Sequence, residues 1–247
     1  MNYNPIIYLL PVALTLSALV TPVIAAEEEE PITIELPEAF FGGTPLPYWS
    51  ANFEPTDYKD RKPFLAPKGT TIVSKDQPVS GSAEPLVGTL AQLTDGDKAY
   101  TPESGVQLPE GIQWVQVDLG ESNAIYAVLV WHFHADNRVY FDFVAQISDD
   151  PTFEKEVTTI YNNDLDNSAG LGEGKDMEYV EDAKGRLIDA KGTKGRYVRV
   201  YGNGNTANLF NDFMEIEVGG KWVRRPVPCH SISDVNKWPD NFVWVLA

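Results

Sequence analysis

The sequence predicts an all-β sandwich of the jelly-roll type, and three observations predict it. Apolar and polar residues alternate through several short runs, clusters of Gly, Asn, Asp and Pro separate those runs, and no segment carries a helical period with start and stop signals. Val115, Val117 and Leu119 alternate with Trp114, Gln116 and Asp118, the pattern of a strand with one buried face. Residues 125–133 are almost continuously apolar, as a central strand requires. Phe141, Phe143 and Ala145 alternate again, and Tyr197, Arg199 and Tyr201 alternate with Val198 and Val200. Turn-forming residues gather at 102–111, 134–137, 162–176 and 202–211. The closing phrase EIEV puts Glu215 and Glu217 on one strand face, because side chains repeat every two residues. There is no internal repeat of the kind that builds solenoids or propellers.

Residues outside this core divide into three parts. Residues 1–26 contain no Asp, Glu, Lys or Arg, and an apolar run at 6–20 precedes the small residues around Ala25. This reads as a signal peptide cleaved near Ala25 or Ala26, since the run is shorter than the roughly 20 residues of a spanning helix. Secretion, or a periplasmic or cell-surface address, is therefore expected, without membrane insertion after cleavage. Residues 27–67 form an irregular lead, acidic and Pro-rich, with Phe40, Phe41, Tyr48, Trp49, Phe53, Tyr58 and Phe64. So many aromatics suit a segment packed on the sandwich better than a solvated spacer. The sandwich itself is expected over 68–220. Residues 221–247 make a short C-terminal extension with Trp222, Trp238, Phe242 and Trp244, in which 242–246 have the texture of a final strand.

A formal charge of −17 repels phosphate backbones and anionic lipid heads, which argues against nucleic-acid and membrane-surface partners. It favours cations and neutral ligands. Cys229 is the only cysteine, so no intramolecular disulfide exists; it reads as a small buried residue. No G-x-S-x-G elbow, H-E-x-x-H pair or phosphate loop is present, and an enzyme is not expected.

Two loops carry carboxylates. Thr94-Asp95-Gly96-Asp97 offers two carboxylates, a hydroxyl and a glycine turn, the hard oxygen donors calcium takes. Asp164-Leu165-Asp166-Asn167-Ser168 opens like an EF-hand loop, but Gly170 stands at position seven and Lys175 at position twelve, so a turn closed by side-chain-to-backbone bonds is the better reading. His132 and His134 share a face if the strand continues but have no third ligand nearby for a transition metal, and they read as well as packing or surface histidines as ligand contacts. His134, Asn137 and Arg138, and then Asn203, Asn205, Asn208 and Asn211, supply planar polar groups of the kind that pair with sugar hydroxyls. The asparagines read equally well as residues that tolerate positive φ in a tight loop.

The phrases LTDGDK, WVQVDLG, QISDDPTF, RYVRV and EIEV together resemble the discoidin-like C-type domain of coagulation factors V and VIII, in its bacterial secreted form. The resemblance covers about residues 68–220 and implies a galactose-binding-like jelly-roll sandwich. It implies a structural calcium ion held by Asp95, Asp97 and Glu217, or Glu215 if the register slips. It also implies sugar contacts from His132, His134, Arg138, Asn205 and Asn208, with Tyr140, Tyr48 or Trp49 as the aromatic platform. The function expected is non-catalytic binding of a glycan or cell-surface polysaccharide. The alternative is an extracytoplasmic protein-interaction or scaffold module that binds no sugar.

Overall fold

The computed structural model describes residues 27–40, 47–55, 59–99 and 101–222. The expected signal peptide, Phe41, Tyr58, Cys229, His230 and the rest of the extension from 223 onward lie outside the described residues.

Two long strands form the backbone of the molecule. β6 (Gln113–His132) and β9 (Arg186–Gly202) pair antiparallel from Gln113↔Gly202 through to Val130↔Arg186. (Strands are numbered in chain order: β1 Glu29–Pro31, β2 Leu65–Pro67, β3 Thr71–Ile72, β4 Val79–Gly81, β5 Val106–Leu108, β7 Val144–Ser148, β8 Thr158–Asn162, β10 Asn211–Trp222.) Two bulges interrupt the pairing. β6 runs from Asp118 to Asn123 while β9 retreats only from Tyr197 to Gly195, and β9 carries extra residues between Asp189 and Thr193. Gly120 and Gly192 adopt positive φ in these bulges. A bulge bends and twists its strand, so the ribbon changes direction halfway.

Different strands flank the two halves. β4 lies beside Val115 to Val117 of β6, and β7 followed by β8 lie beside the last part of β9. β10 pairs with the second half of β6, and β3 and β5 pair with β10. Every one of these pairings is antiparallel, and the only helical pieces among the described residues are 3-10 turns at Leu90–Thr94 and Pro102–Ser104. The molecule is an all-β antiparallel sandwich.

The inward residues of both halves build one core, including Val115, Val117, Leu119, Val128, Val130, Phe143, Ile147, Val198, Val200, Phe213, Ile216 and Val218. The opposite face of β6 and β10 presents Ala127, Leu129, Trp131 and Met214. Ile32 and Ala66 bury these, with Ile34 and Phe64 packed alongside. β1 pairs with β2 to hold that cover in place. β6 carries both apolar runs on one continuous strand across its bulge. The structure differs from the sequence reading at β7, which starts only at Val144 because Phe141 and Asp142 turn the chain.

Candidate functional site

At one end of the sandwich, several pieces of chain, Val87 among them, surround a cavity of about 210 Å³. β5 contributes Val106 and Gln107. The loop after β6 contributes Phe133 and Arg138, the 203–210 loop contributes Asn208, and the start of β10 contributes Asp212 and Met214. The 203–210 loop is fixed by its own asparagines. Asn205 Oδ1 accepts from the N–H of Ala207 (2.9 Å) and of Asn208 (3.1 Å), and Asn208 Oδ1 accepts from Phe210 N–H (2.9 Å). Side-chain-to-backbone bonds of this kind hold a tight turn without regular structure.

Arg138 organises the polar wall. Its Nε and Nη2 donate to Asp136 at 2.5 and 3.1 Å, and its Nη1 donates to Asp212 Oδ2 at 2.9 Å. The guanidinium lies 4.5 Å from the centre of the Phe133 ring. Burial works against its charge, but Asp136, Tyr140 and Asp212 outweigh that and raise its pKa. Gln107 Nε2 donates to the other oxygen of Asp212 at 2.8 Å. The wall therefore offers donors and acceptors already bonded among themselves, one guanidinium between two carboxylates, facing the apolar Val87, Val106 and Met214. Such a lining suits a small neutral ligand with both hydroxyl and C–H surfaces.

Of the residues expected to contact a ligand, Arg138 and Asn208 line this cavity. Asn205 is buried and positions Asn208, with its Nδ2 donating to Asn208 Oδ1 at 3.2 Å. His134 is buried with Nε2 3.0 Å from the carbonyl of Lys98. His132 is a core residue, a correction to the sequence reading. It is 1% exposed, its Nδ1 is 2.9 Å from Glu181 Oε2, and its ring stacks on Tyr140 at 4.1 Å. Tyr140 is likewise buried and cannot be the platform; Trp49 is 81% exposed, and Tyr48 is half-buried. Gln107, Phe133 and Asp212 were not anticipated from the sequence. Asp212, an acid directly after a loop rich in amide side chains, was the one signal for them.

The carboxylates also regroup. Asp95 Oδ1 accepts from Asp97 N–H and Asp97 Oδ1 from Ala99 N–H, so both close the turn. Glu217 Oε1 is 2.7 Å from Lys98 Nζ, which lies 5.2 Å from the Trp131 ring centre. Among the described residues, the expected Asp95, Asp97 and Glu217 do not form a group with ligand oxygens within 4.8 Å of one another, and the Lys98 ammonium already meets Glu217. Glu215 Oε2 accepts from Gly96 N–H at 3.1 Å; burial, then the charges of Glu217 and Asp95, push its pKa up to about 8. Among the described residues, the acidic group that could hold a metal is Asp142, Asp164 and Asp166, with ligand oxygens within 4.8 Å of one another. Both oxygens of Asp164 already accept from Ser168 and Ala169 N–H, and burial raises its pKa. Asp142 accepts from Ser168 Oγ and from Asn203 Nδ2.

No family model and no curated protein matches the sequence. Several solved structures are similar in fold. The CBM32 module of AlyQ, in complex with 4,5-unsaturated mannuronic acid, is 19% identical over 58% of this chain and 95% of that one, with a TM-score of 0.44. A fucose-binding module from Streptococcus pneumoniae is 17% identical over 61% of this chain and 98% of that one, with a TM-score of 0.43. A family 89 glycoside hydrolase from Clostridium perfringens is 18% identical over 62% of this chain, with a TM-score of 0.46, but only 15% of that enzyme is spanned.

Proposed function

We propose that this chain is a non-catalytic carbohydrate-binding module that holds a neutral sugar in the cavity between Arg138, Asp212, Gln107, Asn208 and Phe133. One observation carries the reading: the hydrogen-bonded relay Asp136–Arg138–Asp212–Gln107, which leaves no positive charge to spare and stands beside an apolar wall. Planar amide, guanidinium and carboxylate groups form paired hydrogen bonds with adjacent hydroxyls, and the apolar wall receives the C–H face of the ring. An anionic ligand would meet a wall without spare positive charge, on a chain of net charge −17. The setting is outside the cytoplasm, on cell-surface glycans. A calcium ion belongs to this proposal as a structural ion on Asp142 and Asp166, since calcium takes carboxylate oxygens on tightly turned backbone.

A glycan array followed by titration calorimetry tests the sugar reading. Arg138→Ala and Asn208→Ala should each weaken binding about tenfold, roughly 1.4 kcal/mol, with melting temperatures showing that both variants remain folded. Unchanged affinity in both variants would reject the site, and no binding to any arrayed sugar would reject the function.

A further inference from the structure

The lead carries a feature that the cavity does not use. Residues 47–55 run as a strap across the loop before β9. Tyr48 OH donates to Glu178 Oε1 at 2.8 Å and Ser50 Oγ bonds to Glu178 Oε2. Beyond them, Asn52 Nδ2 donates to Asp176 O (2.7 Å), and Glu54 N–H donates to Glu178 O (2.9 Å). Glu54 then receives Arg186 Nη1 on both oxygens at 2.9 Å. Tyr48 and Ser50, on either side of Trp49, are thus both tied to Glu178. Between these two anchored neighbours the Trp49 indole is 81% exposed. A large aromatic is ordinarily well buried, and here the neighbours prevent it from folding down.

The strap also belongs to the same end of the sandwich as the cavity. The Tyr48 ring lies 5.8 Å from that of Phe141. Phe141 exchanges backbone hydrogen bonds with the 203–210 loop, through Phe141 N–H to Gly204 O and Asn203 N–H to Phe141 O, each 3.0 Å. That loop is the one that sends Asn208 into the cavity. From Arg138 to Phe141 is three residues of chain, at most about 10 Å. The half-buried side chains of Asp142 and Asn203, bonded to each other at 2.7 Å, are attached to this same stretch and offer further hydroxyl partners.

We infer that Trp49 is a second sugar-stacking site and that the ligand is a neutral oligosaccharide running from the Arg138 cavity past Asp142 and Asn203 to the indole. The inference rests on the carbohydrate reading of the cavity and adds the ligand's size class. Stacking a sugar ring on a rigid indole costs little ordering, because the backbone on either side is already held. The cavity alone would serve a single terminal sugar, whereas cavity and indole together reward chain length.

Calorimetry with galactose, N-acetylglucosamine, mannose and fucose, each as monomer and tetramer, tests this. The wild type should bind the tetramer of its preferred sugar about tenfold more tightly than the monomer. Trp49→Ala should bind the monomer as the wild type does and lose the gain with length, while Trp49→Phe should recover part of it. Arg138→Ala should weaken both ligands. Wild-type length dependence in Trp49→Ala, or equal affinity of the wild type for monomer and tetramer, would overturn the second site and leave the cavity standing. Absence of binding to every monomer and tetramer would overturn the cavity reading and the inference with it.

Discussion

Glu215 shows how a single buried group sets the behaviour of its surroundings. Its side chain is 1% exposed, receives one N–H from Gly96, and shares a strand face with Glu217. Burial is the main cause that raises its pKa from the ordinary 4.5 to about 8. The folded state therefore keeps a proton that the unfolded chain releases above about 4.5. The stability this group contributes is complete below pH 4.5 and is lost as the pH rises through about 8. Glu215→Gln keeps the acceptor for Gly96 and removes the titration. We expect the variant to lose less stability than wild type between pH 5 and pH 8, by on the order of a few kcal/mol at the upper end. Parallel pH profiles of melting temperature would contradict the assignment. The residue scale is also where the sequence was least legible. An imidazole closing an apolar strand looks the same whether it meets a ligand or, as His132 does, a buried Glu181 from 49 residues further along. Likewise the Asp95–Asp97 spacing says nothing of Lys98 Nζ folding back on Glu217. Arg138 and Asn208 were legible because a loop places them where no core demands their polarity.

Elements were legible to the extent that one face of each is buried. The alternation at Val115, Val117 and Leu119 survives in β6 because those side chains enter the core while their neighbours do not. Phe141 and Phe143 alternate too, yet no ladder forms there: Asp142 takes a φ of 50° and the chain turns. Periodicity reports burial, not hydrogen bonding. The turn from Asp164 was legible for the same kind of local reason, since its carboxylate accepts from N–H groups four and five residues ahead. Asp142, which completes the acidic group, comes from a different loop and left no trace in the spacing. The entry into β9 shows what an element needs at its end. Gly185 has a φ of 61°, and an added Cβ would sit 2.7 Å from the Trp131 indole, which itself donates to Ala183 O. Gly185→Ala combines a left-handed strain with overpacking and should cost about 2–4 kcal/mol in a urea melt. A loss below about 0.5 kcal/mol would show that the indole moves freely and that this corner is not tightly packed.

At the scale of the whole molecule, the bulged β6–β9 ribbon shapes the sandwich, and the lead covers the outer face that Trp131 and Leu129 would otherwise expose. The loop end is left to carry both the cavity and the carboxylate group, with −17 of net charge around them. A cation bound only by the folded state stabilises by RT ln(1 + [L]/Kd), about 2.7 kcal/mol at 100-fold excess over Kd. Calcium should therefore raise the melting temperature over chelator, Asp166→Asn should remove most of the rise, and Glu217→Gln should leave it in place. Loss of the rise in Glu217→Gln alone would return the ion to the Asp95 loop. The binding claim itself is tested most directly by nitrogen-edited NMR of the labelled protein, titrated with the sugar a glycan array retains. The account predicts shifts concentrated at Gln107, Arg138, Asn208 and Asp212, including the Arg138 Nε–H and the Asn208 amide. Shifts elsewhere on the surface with these signals unmoved, or none at saturating sugar, would contradict it.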